Sequence, residues 1–534
     1  MTLSPANAQD EQAGSQARSE VAETRRSFAG ALPGLGVLSL VGCCVLWSLK
    51  KPLAGDENFT YVELGDRSLG HLMRSALHLG GGGMPLFYLT AWPWAHLAGM
   101  SELSLRLYSS LAVCGAFLVL VTALRRRFGA RAAFAGTAFG LFASLLVIDQ
   151  NVEARGYGLY LLLAATAVVQ WLRVAESDRP RGRDLALLAL TQAGLVLGHL
   201  LGLIYAGLML LALLGADRLQ HRMRLRVYLW FMAGWLALLP WVPAIRASAA
   251  VGRPHSWIAL PGVADLAIGL SFWLFGGIYY PLLHAFPLGL FVGWLCAVGC
   301  VALLVGPSIL ELRHAAANRQ PVIVLGLALL TAPVVFFLIS WTLSPIYVPR
   351  YMIPSALGIV LLAVCRAQEG SQQGKSSAKI GAGTWVLLLL PIATALLAHP
   401  IRVDTARIDQ LAGDGPVVCD WLDDFLVMSR YGARPAIVEY PLDWQAALEG
   451  PPAATGAYRL MENYRQAGYL TAGLRDSSAI LRQPRFVVLD NSRTNWFHLA
   501  IENNPRFAWR VLTQLDGERR VIEVTQSPTA SAAP

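Results

Sequence analysis

The chain is 534 residues long, 55% of them apolar and only 14% charged, with a mean hydropathy of +0.48. Soluble domains carry about a quarter charged residues, so the composition excludes a cytosolic enzyme, a disordered chain and a fibrous repeat, and it indicates a polytopic membrane protein. The formal charge of +9 does not signal nucleic-acid binding: residues 400–534 hold 14 Lys/Arg against 16 Asp/Glu, which leaves 29 against 18 elsewhere, largely in short loops that orient helices.

Residues 1–30 form a polar cytoplasmic tail with Arg18, Arg25 and Arg26. The apolar span after it lacks a small-residue cleavage site and reads as an uncleaved anchor. A hydrocarbon core of about 30 Å needs about 20 apolar residues per helix. Spans of that kind fall at 31–49, 103–124, 132–149, 155–172, 185–199, 201–216, 227–244, 284–306, 321–341, 351–366 and 381–399. The stretch 185–216 is divided at Gly198-His199 into a hairpin. The expected fold class is therefore a polytopic α-helical membrane protein of about 11 helices over residues 31–399, N-terminus inside and C-terminus outside.

That parity makes every inner loop basic. The inner loops carry Arg125-Arg126-Arg127 with Arg131, Arg173 to Arg183, Arg218 to Arg226, Arg313 with Arg319, and Arg366 with Lys375 and Lys379. The outer set lies at 50–102, 150–154, 199–200, 245–283 and 342–350, and is aromatic and rich in Gly and Pro. Lys50 and Lys51 stand against the rule. Gln, Gly, Ser and Lys at 367–380 read as a flexible inner linker.

After residue 400 the chain changes character. Strand-like runs at Pro416–Cys419, Ala436–Glu439 and Arg485–Leu489 alternate with helical segments near 421–431, 458–470 and 495–504. A hairpin at 508–515 and 519–525 turns around Asp516-Gly517. Residues 400–526 thus read as a small soluble α/β domain outside the membrane, followed by a disordered tail at 527–534. Of the seven cysteines only Cys419 lies in that domain, and no pair has metal-ligand spacing.

The first outer loop holds the strongest candidates for chemistry. Asp56-Glu57 stands just past the first span, beside Lys50 and Lys51. Two adjacent carboxylates at a membrane surface are costly unless solvated, paired or used. An amphipathic stretch at 69–79 follows, then Gly80-Gly81-Gly82-Gly83-Met84-Pro85, then Trp92 and Trp94. Glu153 and Arg155 sit in the tiny 150–154 loop, where a self-neutralising pair is the plain alternative to a functional role. Arg350-Tyr351 opens the tenth span on the outer side, where snorkelling to lipid head groups is the plain alternative.

The order of these landmarks resembles a family. An Asp-Glu beyond the first helix is followed by an interfacial helix and a Pro85-Leu86-Phe87-Tyr88 segment. Leu105-Arg106-Leu107-Tyr108-Ser109-Ser110, Glu153-Ala154-Arg155-Gly156-Tyr157 and Pro349-Arg350-Tyr351 come next. Over roughly residues 31–366 the pattern is similar to the GT-C superfamily of membrane glycosyltransferases, in its branch of protein O-mannosyltransferases and aminoarabinose transferases.

The resemblance implies an enzyme that transfers a sugar from a polyprenyl-phosphate donor to a lipid, glycan or protein acceptor at the outer face of the cell inner membrane. It implies Asp56 as the general base of an inverting transfer and Glu57 as an orienter or a ligand to Mg²⁺ or Mn²⁺. Glu153 would contact donor or acceptor, and Arg155, Arg350, Tyr351 and Lys51 would hold the donor phosphate. One pKa of the Asp56-Glu57 pair is expected to rise. The sequence departs from the family where Gly83-Met84-Pro85 replaces a His-Pro-Pro, with His71 and His78 the nearest histidines; His199, His255 and Trp257 lie in other outer loops. The competing class is a transporter or flippase of a lipid-linked substrate, which would favour inverted repeats and midplane charges. The sequence shows no repeat, and its notable charges cluster at outer helix ends.

Overall fold

The computed structural model describes residues 31–76, 85–243, 245–246, 258–271, 289–312, 314–316, 319–372, 377–398, 404–450, 452–492 and 496–527. The first span is α1 (Ala31–Lys50). Among its described residues the long loop at 50–102 carries three helices, α2 (Asp56–Leu64), α3 (Leu69–Ala76) and α4 (Pro85–Ala98). Then come α5 (Glu102–Phe128), α6 (Ala130–Phe142), α7 (Leu145–Asn151), α8 (Tyr157–Glu176), α9 (Gly182–Gly198) and α10 (Gly202–Leu219). Among the described residues six helices are long and apolar enough to cross a membrane, or seven if the bent pair α6–α7 is one span. The chain is a multi-pass membrane protein.

Helices stand at each expected span among the described residues, though only six or seven are long and apolar enough to cross, and the departures have local causes. The span expected at 132–149 is broken by 78° between α6 and α7. The hairpin at Gly198-His199 is real: α9 ends at Gly198 and α10 begins at Gly202. Pro240 shapes the span at 227–244, whose second half is a 3₁₀ helix over Gly234–Trp241. Pro349 and Pro354 do the same for Pro349–Ser355, the 3₁₀ turn that precedes α11 (Ala356–Gln372).

The linker expected at 367–380 is shorter than its composition indicated. α11 runs on to Gln372, because Arg366 and Glu369 are tied to Glu311 and Arg319. α12 (Ser377–Leu397) already covers 377–380, and 373–376 lie outside the described residues. Close packing in the bundle needs Gly136 and Gly140 on α6, where an added Cβ would collide with the backbone of Val364 and Val360 on α11.

Lys50 departs from the basic-inside rule for a structural reason. Its ammonium donates to the carbonyls of Ala395 (3.0 Å) and Leu396 (2.5 Å) at the end of α12. A cation is favoured at the negative end of a helix, and the C-terminal ends of α1 and α12 are thereby joined.

The C-terminal domain carries a six-stranded sheet of order β3-β2-β1-β4-β6-β5. Its strands are β1 (Val417–Cys419), β2 (Val438–Leu442), β3 (Leu474–Asp476), β4 (Arg485–Asn491), β5 (Phe507–Gln514) and β6 (Arg519–Gln526). β1 to β4 are parallel, and the closing hairpin β5–β6 is antiparallel. Its turn is held by Asp516, whose carboxylate accepts from the N–H groups of Glu518 and Arg519, both at 2.8 Å. β3 escaped the sequence reading because three residues are too few to show alternation.

Candidate functional site

The site lies where the first turn of α2 meets the 152–156 loop and the 3₁₀ turn before α11. Gly55 precedes α2 with φ +51, a turn that a side chain would strain, and it lets Asp56 and Glu57 enter the helix as its first two residues. The two carboxylates then point to different partners.

Glu57 is buried and fully occupied. Arg106, only 1% exposed on α5, grips it bidentately, Nε to Oε1 and Nη2 to Oε2, both at 2.7 Å. The same guanidinium donates to the carbonyls of Lys51 (2.7 Å) and Pro52 (2.9 Å). Glu57 also accepts the N–H groups of Ala154 (2.9 Å) and Ala54 (3.3 Å). One ion pair therefore fastens the exit of α1, the start of α2 and the 152–156 loop together. The metal-ligand role expected for Glu57 does not suit this donor set, because its oxygens already receive four donors.

Asp56 is half-exposed and faces two arginines. Its Oδ2 lies 2.9 Å from Arg350 Nη2 and 3.9 Å from Arg155 Nη2. Arg155 Nη1 also donates to the Asp56 carbonyl and to Thr60 Oγ1, both at 3.3 Å. Burial raises the Asp56 pKa, but Arg155 and then Arg350 outweigh it and hold the carboxyl below its ordinary value. The expectation that one of the Asp56-Glu57 pair is pushed up is thus not met by Asp56. The carboxyl that rises is Glu153, to about 7, through burial and then repulsion from Asp56 and Glu57.

Two cations on Asp56 leave little attraction for a third, and no group of three or more His, Cys, Asp or Glu able to hold a metal occurs among the described residues. With these partners, Asp56 and Glu57 do not form a site that suits Mg²⁺ or Mn²⁺.

Aromatic rings wall the arginines in. The Arg350 guanidinium carbon is 6.0 Å from the Tyr157 ring centre and 5.8 Å from that of Tyr351. His199 stacks on Tyr160 at 5.0 Å and stands 5.3 Å from Tyr351. Burial, with Arg155 and Arg350, pushes its pKa down to about 3. Its Nδ1 accepts the Leu201 N–H at 3.1 Å, so the neutral ring carries its proton on Nε2 and presents a donor.

The structure therefore brings Asp56, Glu153, Arg155, Arg350 and Tyr351 together, and it places Lys51 elsewhere. Lys51 lies over the Trp47 ring at 3.8 Å, where burial lowers its pKa. His78, His255 and Trp257 fall outside the described residues. Arg106 was named in the motif but not given its role. A buried arginine in the first turns of a membrane helix demands a counter-ion, which was the signal available.

No protein-family model and no curated protein matches the sequence. Among solved structures, ArnT from Cupriavidus metallidurans in the apo state superposes with a TM-score of 0.57 at 14% identity, over 95% of this chain and 100% of that one. The same protein bound to undecaprenyl phosphate gives 0.54 at 14% identity, over 95% and 99%. The chain has the fold of ArnT. The likeness to ArnT reaches well beyond residues 31–366, because coverage of 95% takes in the C-terminal domain as well as the membrane helices. In this fold the Asp56 carboxylate at the start of α2 meets the guanidiniums of Arg155 and Arg350.

Proposed function

We propose that this chain is an inner-membrane glycosyltransferase that moves a sugar from a polyprenyl-phosphate donor to a lipid, glycan or protein acceptor on the outer side. The observation that carries this reading is the bridge from Asp56 to Arg350 and Arg155 in an ArnT-like fold. Two guanidiniums fixed by one carboxylate are an anion site already assembled. Undecaprenyl phosphate, bound by ArnT in one of the two superposed structures, has the chemistry that would fill it.

The donor phosphate and Asp56 compete for the same two arginines. When phosphate takes them, Asp56 loses the cations that held its pKa down and becomes a better base. It then accepts the proton of the acceptor hydroxyl or amine as that group attacks the anomeric carbon. The sugar–phosphate bond breaks with its electrons passing to the phosphate oxygen, where Arg350 and Arg155 meet the growing charge. Attack from the face opposite the leaving phosphate inverts the anomeric carbon. His199 Nε2–H and the Tyr351 hydroxyl stand by the same arginines as neutral donors.

The test is to incubate purified protein with polyprenyl-phosphate sugars and an extract of envelope lipids and glycans, and to measure released polyprenyl phosphate. Release is expected with at least one donor. Donor binding without release from any of them would favour a flippase.

Glu153 gives the site a pH signature. Below about 7 its carboxyl is neutral, and above that it is an anion facing the incoming phosphate. Binding of undecaprenyl phosphate should therefore weaken about three- to tenfold from pH 6 to 8, relative to Glu153→Gln measured in parallel. A constant ratio between the two proteins would show that Glu153 does not titrate there.

Orientation is tested with fusions. An alkaline phosphatase fused after residue 404 is expected to be active, and one fused at 128 inactive, because Arg125-Arg126-Arg127 belongs inside. An active fusion at 128 would reverse the topology.

A further inference from the structure

Three phenols of the C-terminal domain donate to three carboxylates of the preceding part of the chain, Glu63 on α2, Asp66 between α2 and α3, and Glu102 at the start of α5. Tyr431 donates to Glu102 at 2.8 Å, Tyr464 to Glu63 at 2.5 Å and Tyr469 to Asp66 at 2.5 Å. The Leu53 N–H donates to the Tyr431 oxygen at 2.9 Å, and the Arg430 guanidinium lies 3.5 Å over the Tyr61 ring. Phe59, on α2, leaves the outer helices altogether. It packs into the core of the C-terminal domain with Ile408, Phe425 and Met461, 5.3 Å from the Tyr464 ring.

Glu63 differs from the other two carboxylates. It is 3% exposed and accepts a second phenol, Tyr88 from α4, at 3.0 Å. It follows Asp56 by seven residues and Thr60 by three, so the three share one face of α2. Arg155 lies on that face, bonded to the Asp56 carbonyl and to Thr60. Burial holds the Glu63 pKa above its ordinary value, with Arg155, Tyr464 and Tyr88 offsetting only part of the rise. A buried carboxylate that faces a catalytic-site cation and takes its hydrogen bond from another domain joins the two physically.

We infer that Tyr464 and Glu63 are positioning residues: through them the C-terminal domain holds α2 so that Asp56 and Arg155 stay aligned with Arg350. The inference rests on the donor-phosphate reading of that site. A domain that merely decorated the membrane part would not place its phenylalanine pocket around α2, nor its tyrosine on the carboxylate in line with Asp56.

The test uses full-length Tyr464→Phe, Glu63→Gln, the double variant, and Tyr469→Phe as a docking control that does not touch the Arg155 face. Undecaprenyl phosphate affinity is measured together with amide hydrogen exchange over residues 56–60 in the ligand-free protein. Tyr464→Phe and Glu63→Gln should each weaken binding roughly tenfold, as loss of a buried charge-assisted bond does. The double variant should be no worse than the weaker single, because the two residues act as one unit. Tyr464→Phe should also speed exchange at 56–60, and Tyr469→Phe should change neither measurement by more than about twofold. Additive losses, or Tyr464→Phe behaving as Tyr469→Phe does, would overturn the inference. Should the unmodified protein fail to bind undecaprenyl phosphate, the donor reading falls while exchange at 56–60 still decides the positioning role. If Glu63→Gln does not fold, the comparison of the two tyrosine variants is sufficient.

Discussion

Asp56→Asn is expected to separate binding from transfer. The substitution keeps size and shape but removes the proton acceptor, and general-base catalysis is worth about 10²–10⁴-fold. Transfer should fall by that order. Donor binding should hold or tighten, because the phosphate no longer displaces a carboxylate from Arg350, 2.9 Å away. Affinity for undecaprenyl phosphate and single-turnover release of carrier phosphate, measured on the same preparation, check the two halves. Equal losses in both would make Asp56 an organiser of the arginines and no base. Wild-type turnover would remove it from the mechanism.

The second large effect falls on folding. Glu57 and Arg106 are 7% and 1% exposed at their side chains. Removing one member of such a pair strands the other charge in low dielectric, at a cost of about 3–5 kcal/mol. Glu57→Gln should therefore lower the thermal midpoint in detergent sharply and reduce the yield of folded protein. The double replacement Glu57→Gln with Arg106→Met leaves no stranded charge and should recover part of the midpoint. A single Glu57→Gln variant of unchanged midpoint and impaired transfer would mean instead that Glu57 acts in chemistry. The sequence pairs Asp56 and Glu57 as neighbours with kindred roles, whereas the helix turns them roughly 100° apart, one toward an open site and one into the bundle.

What could be read from the sequence follows from the range over which each signal acts. The apolar spans and the strand-like runs are local patterns, and helices and strands stand at those places among the described residues. That Asp56, Glu153, Arg155 and Arg350 could be singled out follows from each being a charge at a helix end, where an ionisable group stands out against apolar neighbours. Lys51 was equally conspicuous and lies over Trp47 instead, since conspicuousness does not fix direction. Glu63 and Tyr464 could not be paired in advance: they are separated by 401 positions, and neither breaks a local pattern. The linker at 367–380 was misjudged because composition does not register the four-residue charge network of Glu311, Arg319, Arg366 and Glu369 that prolongs α11.

The span between Glu63 and Tyr464 also bears on how the protein is made. Membrane helices enter the bilayer in the order of synthesis, so α2 is made long before the tyrosine that will bind its carboxylate exists. During that interval Glu63 and Phe59 lack the domain that buries them. Closing a loop of this length is slow compared with forming a helix. On the positioning role proposed for Tyr464, biogenesis ends with the docking of the C-terminal domain: a ribosome stalled after the last membrane helix would leave α2 without the contacts that bury Glu63 and Phe59.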